Sequence, residues 1–151
     1  MRDWLIKALG GTPQVNLGVS IITAEEVRAA LLRAGWPPGN VMDFKDRAYR
    51  TNDITVLQMF LPHIPVRWLP YEAEYGDCDD HAFLFKAWWY LMFRVSAVGT
   101  ISGQRPGDQL NHEFSVMFGR DGEVLWVEPQ NNEEIQAFTG MYSLVESRFQ
   151  M

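Results

Sequence analysis

Hydrophobic residues fall into two periodicities along this chain, a helical one in the first half and a strand-like one in the second. Val27, Ala30, Leu31 and Ala34 recur at helical spacing. Thr23 precedes them as an N-cap, with Glu26 three residues later as a capping box, and Gly35 with Pro37-Pro38 ends the run. Met1 to Leu9 reads as one or two amphipathic turns, and residues 11–20 read as a loop. Residues 41–50 are mixed and predict irregular structure. Asn52 or Asp53 caps a short helix over Ile54–Leu61, closed by Pro62 and Pro65. Residues 70–77 read as an extended approach to a strong helix over Cys78–Phe93. That helix is apolar nearly all round, from Phe83 and Leu84 through Trp88, Trp89 and Phe93, which predicts a place in the middle of the domain.

Beyond it the period drops to two. Residues 94–101 predict a strand and residues 102–109 a loop. His112, Phe114, Val116 and Phe118 alternate with smaller or polar residues, and Val124, Trp126 and Glu128 do so again after Gly119-Arg120-Asp121-Gly122. A three-residue loop with Gly122 in the left-handed position sets Gly119 opposite Glu123 and His112 opposite Gln130. His112, Glu128 and Gln130 then share one face. Residues 142–149 predict a last edge strand. The expected architecture is α+β: a helical lead-in over residues 1–45, then a core over 46–151, in one domain over 1–151.

Composition narrows the function classes. The 151 residues carry 13 Lys and Arg against 19 Asp and Glu, a net charge of −6, which disfavours nucleic acid as a partner. No stretch approaches the roughly 20 apolar residues of a membrane span. The first ten residues are too short and interrupted for a secretory signal, so the expectation is a cytoplasmic protein, or one released without a signal peptide. The single cysteine excludes an internal disulfide.

That cysteine, Cys78, is predicted at a helix start, where unpaired N–H groups and the positive dipole end stabilise a thiolate. His112 could serve as its base, and Glu128 or Gln130 could hold the imidazole in the useful tautomer. A buried apolar role for Cys78 and a structural role for His112 are the plainer readings. Asp77, Asp79 and Asp80 crowd the thiol with negative charge. They either complement the helix dipole or, with Glu74 or Glu72, ligate a hard cation, calcium or manganese. Cys78 and His81, with His112 or His63, make a weaker zinc pattern.

Tyr75-Gly76-Asp77-Cys78-Asp79-Asp80-His81-Ala82 resembles the Asp-Cys-Asp-Asp element of the papain-like C-terminal domain of Marasmius-type mushroom agglutinin and its bacterial and phage relatives. His112-Glu113-Phe114, Asp121-Gly122 and Glu128-Pro129-Gln130 follow in the same order, and Asp46-Arg47-Ala48-Tyr49 and Thr51-Asn52-Asp53-Ile54 resemble the lead-in. His81 stands where that family usually has an aromatic. The resemblance implies a papain-like single domain, its Cys-bearing helix packed on an antiparallel sheet. It implies a calcium-dependent cysteine protease with Cys78 as nucleophile, His112 as base, Glu128 as orienting carboxylate, and Asp79 and Asp80 as the metal-binding pair. A protein or peptide would be the substrate, and a homodimer is allowed. No β-trefoil accompanies the motif, so the resemblance does not imply lectin activity. Two other functions stay open: a non-enzymatic binding or assembly module, and amidase- or transglutaminase-like acyl transfer on a cell-wall peptide.

Overall fold

The computed structural model describes residues 18–70, 72, 77–104, 111–135 and 143–151. The expectations for Met1–Leu9, for most of the Pro70–Asp77 approach and for Glu74 lie outside the described residues.

The chain enters through β1 (Ser20–Thr23), which pairs antiparallel with β3 (Ala48–Thr51). Between them, α1 (Ala24–Arg33) starts at the expected capping box. The Thr23 hydroxyl accepts from Glu26 N, and Thr23 N donates back to the Glu26 carboxylate at 2.7 Å. Residues 41–50, expected to be irregular, instead hold β2 (Val41–Asp43) and the start of β3. Strands this short lack a readable alternation, and their partners are distant in sequence: β2 runs parallel to β8 (Ser143–Gln150). Asp53 caps α2 (Ile54–Phe60), its carboxylate accepting from Thr55 N at 3.1 Å.

A six-stranded sheet forms the body, in the order β2-β8-β4-β5-β6-β7. Its other members are β4 (Val98–Gln104), β5 (Asn111–Phe118), β6 (Val124–Glu128) and β7 (Glu133–Glu134). All of its pairings except β2–β8 are antiparallel. Two expectations change here. Ser102–Gln104 extend β4 rather than opening a loop, and β8 lies inside the sheet, between β2 and β4, rather than at its edge. The β5–β6 hairpin keeps the expected register: Gly119 N donates to Glu123 O at 2.9 Å, and Gly122 takes φ +80°.

The sheet divides the core into two layers. On one face, Ile101, Phe114, Val116, Phe118, Trp126 and Phe149 pack with Val27 and Leu31 of α1. On the other, Val98, Met117, Leu125 and Val127 pack with α3 (Cys78–Phe93) through Phe85, Trp89 and Phe93. Ala82, Phe85, Trp89 and Phe93 form the buried stripe of α3, whereas Phe83, Leu84 and Tyr90 are exposed. The helix therefore covers the sheet as an outer layer instead of running through the middle of the domain. It ends at Arg94, which adopts a left-handed φ of 60° and donates its N–H to Tyr90 O at 3.1 Å. Among the described residues no helix is long and apolar enough to cross a membrane.

The chain is a mixed α/β domain with three α-helices and a mostly antiparallel sheet among the described residues. Gly99 marks a close approach of β4 and β8: a Cβ there would strike the Phe149 ring and come within 2.9 Å of Gln150 O. Gly99→Ala is expected to destabilise the fold by about 1–3 kcal/mol, as overpacked cores do. Urea unfolding measures it. A midpoint equal to wild type would mean that β4 and β8 do not pack this closely.

Candidate functional site

Two groupings of polar residues lie on opposite faces of the sheet. The first is a pair. His112 lies near the start of β5, Glu128 ends β6, and the hairpin register makes them diagonal neighbours on one face. His112 Nε2 donates to Glu128 Oε2 at 2.6 Å. Glu128 is only 5% exposed, and its Oε1 also accepts from Gln130 N at 3.5 Å. The imidazole therefore has a fixed orientation and a buried carboxylate partner.

Cys78 opens α3 and is half-buried. Ala82 and Phe85, one and two turns on, face the sheet, so the thiol lies along the same stripe. Side chains alternate along β5, however. Glu113 turns toward α3, and His112 turns to the opposite face with Phe114. The structure thus brings His112 and Glu128 together. The zinc pattern is not assembled either. His81 is buried, with Nδ1 at 2.8 Å from Asp77 O and Nε2 at 3.5 Å from Leu69 O, which ties the helix start to the preceding turn.

The second grouping is a groove of about 490 Å³ between α3 and the sheet. Asp79, Phe83 and Lys86 stand at helical spacing along one wall, joined by Asp80. Thr100 and Glu113 come from the facing strands, Lys45 from beyond β2, and Gln150 and Met151 from the chain end. Phe83 is 68% exposed, a large ring kept in solvent at the groove wall. The Ser102 hydroxyl donates to Glu113 Oε2 at 3.3 Å.

Charge is crowded at the N-terminal end of α3. Ligand oxygens of Asp77, Asp79 and Asp80 lie within 4.8 Å of one another. Asp77 does not cap the helix with its side chain. A hydrogen bond shared with Asp79, followed by desolvation and repulsion from Asp79 and Asp80, pushes its carboxyl above the usual range. Three such oxygens fit the chemistry of a hard cation, though they supply only half or fewer of the six to eight ligands calcium takes. Burial likewise raises Glu113, against hydrogen bonds from Thr100 and Ser102 and with added repulsion from Asp79 and Asp77. Burial pulls Lys86 below the ordinary lysine range, opposed by Asp46.

Sequence reasoning missed Phe83, Lys86, Thr100 and Glu113. The signal was present in part, because Asp79, Phe83 and Lys86 fall at i, i+4 and i+7 on an otherwise apolar helix. Glu113 was legible only as the residue after His112; its contact with α3 depends on a pairing across the fold.

The raised carboxyl of Glu113 carries a pH signature. A group that binds its proton more tightly when folded stabilises the fold below the ordinary carboxylate range and loses that contribution as pH rises through its folded value. Glu113→Gln removes this loss. The variant should gain melting temperature relative to wild type from acid to neutral pH, with the difference smallest at the acid end. Parallel melting curves across that range settle it: a constant difference would mean that Glu113 is not desolvated.

No family model and no curated protein matches the chain. Among solved structures it is similar to one described as a PSL1a–E64 complex, at 19% identity and a TM-score of 0.65, covering 87% of this chain and 51% of that one. It is also similar to Polyporus squamosus lectin bound to the human-type influenza-binding epitope Neu5Aca2-6Galb1-4GlcNAc, at 19% identity and a TM-score of 0.64, covering 87% of this chain and 49% of that one. The chain thus spans about half the length of each, and the likeness is one of fold. It overturns the identification drawn from the Asp-Cys-Asp-Asp element: the fold resembles that of a lectin, and the reading as a calcium-dependent, papain-like cysteine protease acting on a protein or peptide substrate does not stand.

Proposed function

We propose that this chain is a non-enzymatic binding module that takes carbohydrate in the groove between α3 and the β4–β5 face. The observation that carries the reading is the exposed Phe83 ring, set among carboxylates, lysines and a threonine in a groove of about 490 Å³. A sugar presents one apolar face and a rim of hydroxyls. An exposed aromatic covers the first, and groups able to donate and accept hydrogen bonds satisfy the second. Asp79, Asp80 and Glu113 accept, Lys45 and Lys86 donate, and Thr100 does both. The fold likeness to a sialoglycan-bound lectin supports the same reading.

Phe83→Ala tests it. The side chain stands in solvent, so its removal should leave the melting temperature nearly unchanged. Affinity for oligosaccharides identified on a glycan array should fall at least tenfold by calorimetry, equivalent to about 1.4 kcal/mol. Undiminished affinity would move the ligand out of the groove.

A second reading, acyl transfer on a cell-wall peptide through Cys78, is favoured by one observation, the buried His112–Glu128 pair. It requires the Cys78 thiol within hydrogen-bond reach of the His112 imidazole. Incubation with E64, the compound in the neighbouring complex, followed by intact-mass measurement, distinguishes the two readings. The binding module is expected to leave Cys78 unmodified. A stoichiometric adduct, lost in both Cys78→Ala and His112→Ala, would favour the acyl-transfer reading instead.

A further inference from the structure

A second cavity, of about 300 Å³, lies between β1, α1 and the β5–β6 hairpin and shares no residue with the groove. That volume is at the lower end of small-molecule pockets. Ile22 and Ala29 line it with hydrocarbon. Arg33 enters from the last turn of α1, Arg120, Asp121 and Gly122 come from the hairpin loop, and Glu26 completes the lining.

Its four charged side chains are not equally engaged. Glu26 Oε2 accepts from Thr23 N at 2.7 Å and from the Thr23 hydroxyl at 2.8 Å, so it is turned back to the helix start. Asp121 is paired with Arg120 at 3.3 Å, and Arg120 also reaches Asp53 at 3.2 Å. Arg33 stands differently. Among the described residues it is in no ion pair, and its one hydrogen bond runs from Nη2 to Gly122 O at 3.4 Å. Most of the five N–H donors of its guanidinium are unspent. Gly122 makes this placement possible, because a Cβ there would come within 2.7 Å of Arg33 Nη2. The cavity thus holds two guanidinium groups, of which one lacks an acidic partner.

We propose that this cavity binds a small organic acid, its carboxylate taken by the Arg33 fork and its hydrocarbon body lying on Ile22 and Ala29. A carboxylate offers two coplanar oxygens that match one edge of a guanidinium. Arg120 keeps N–H donors beyond those turned to Asp53 and Asp121. A carboxylate is a monoanion and matches the single uncompensated guanidinium, whereas a phosphate monoester brings more negative charge against Glu26 and Asp121. The chain carries a net charge of −6 and repels anions in general, so capture of one here reports local recognition rather than bulk attraction. This site stands whether or not the groove takes carbohydrate.

Titration of the full chain with butyrate, butanol and butyl phosphate, followed by NMR at the backbone amides and the arginine Nε–H groups, tests this. Butyrate should move the Arg33 Nε–H and the Asp121 and Gly122 amides together. It should bind roughly fivefold more tightly than butanol, the upper end of what an exposed ion pair supplies. Added salt should shrink that preference, and butyl phosphate should bind no more tightly than butyrate. Arg33→Gln should weaken butyrate by the same roughly fivefold factor while leaving the melting temperature nearly unchanged, because the side chain is exposed. Arg33→Lys, which keeps the charge and loses the fork, should retain only part of the affinity. Equal affinity for butyrate and butanol, or no shift at these resonances into the tens of millimolar, would overturn the site. Butyrate binding unchanged in Arg33→Gln would overturn it as well. Tighter binding of butyl phosphate would overturn the assignment to carboxylates.

Discussion

The seating of α3 on the β4–β5 face is the constraint on which the rest of the structure depends. Phe85, Trp89 and Phe93 bury one stripe of the helix against Val98, Met117, Leu125 and Val127. Each large side chain so buried is worth roughly 1.5–3 kcal/mol. That stripe fixes the rotation of the helix. Once it is fixed, Asp79, Phe83 and Lys86 must line the flank of the helix and Cys78 must point along the sheet. Rotating α3 by one residue, about 100°, would bury charge and expose Trp89. The groove is thus a by-product of packing, formed where a helix covers only part of a wide sheet.

The two sheet faces separate two chemistries that look adjacent in sequence. His112 and Glu113 are neighbours in the chain, yet alternation sends one to a buried carboxylate and the other into the groove. Burial raises the proton affinity of Glu113, and repulsion from Asp79 and Asp77 adds to it. His112 instead has its proton-bearing nitrogen held by Glu128, an arrangement that orients an imidazole whether or not a reaction follows. The Asp-Cys-Asp-Asp element draws attention to the thiol; in the folded chain Asp79 and Asp80 line the groove together with Glu113.

Much of the local structure was legible because it rests on short-range rules. Thr23 and Glu26 announce their capping box, Gly119 to Gly122 announce the hairpin, and its register places His112 beside Glu128. Residues 41–50 and the position of β8 were not legible, because pairing between segments about a hundred residues apart leaves no periodic trace in a three-residue strand. The burial of α3 was overestimated for a related reason. Hydrophobicity all round a helix normally signals full enclosure, whereas here Phe83, Leu84 and Tyr90 remain in solvent. The protease reading relied on the likeness of short motifs between Asp46 and Gln130, and it was the likeness in fold to a lectin that overturned it.

The central claim is that the ligand lies between α3 and the β4–β5 face. Amide chemical-shift mapping during titration with an oligosaccharide identified on a glycan array tests it most directly. The account predicts that the shifted resonances cluster on Asp79, Phe83, Lys86, Thr100 and Glu113, with His112 and Glu128 unmoved. Shifts centred on Cys78, His112 and Glu128, with the groove silent, would contradict it.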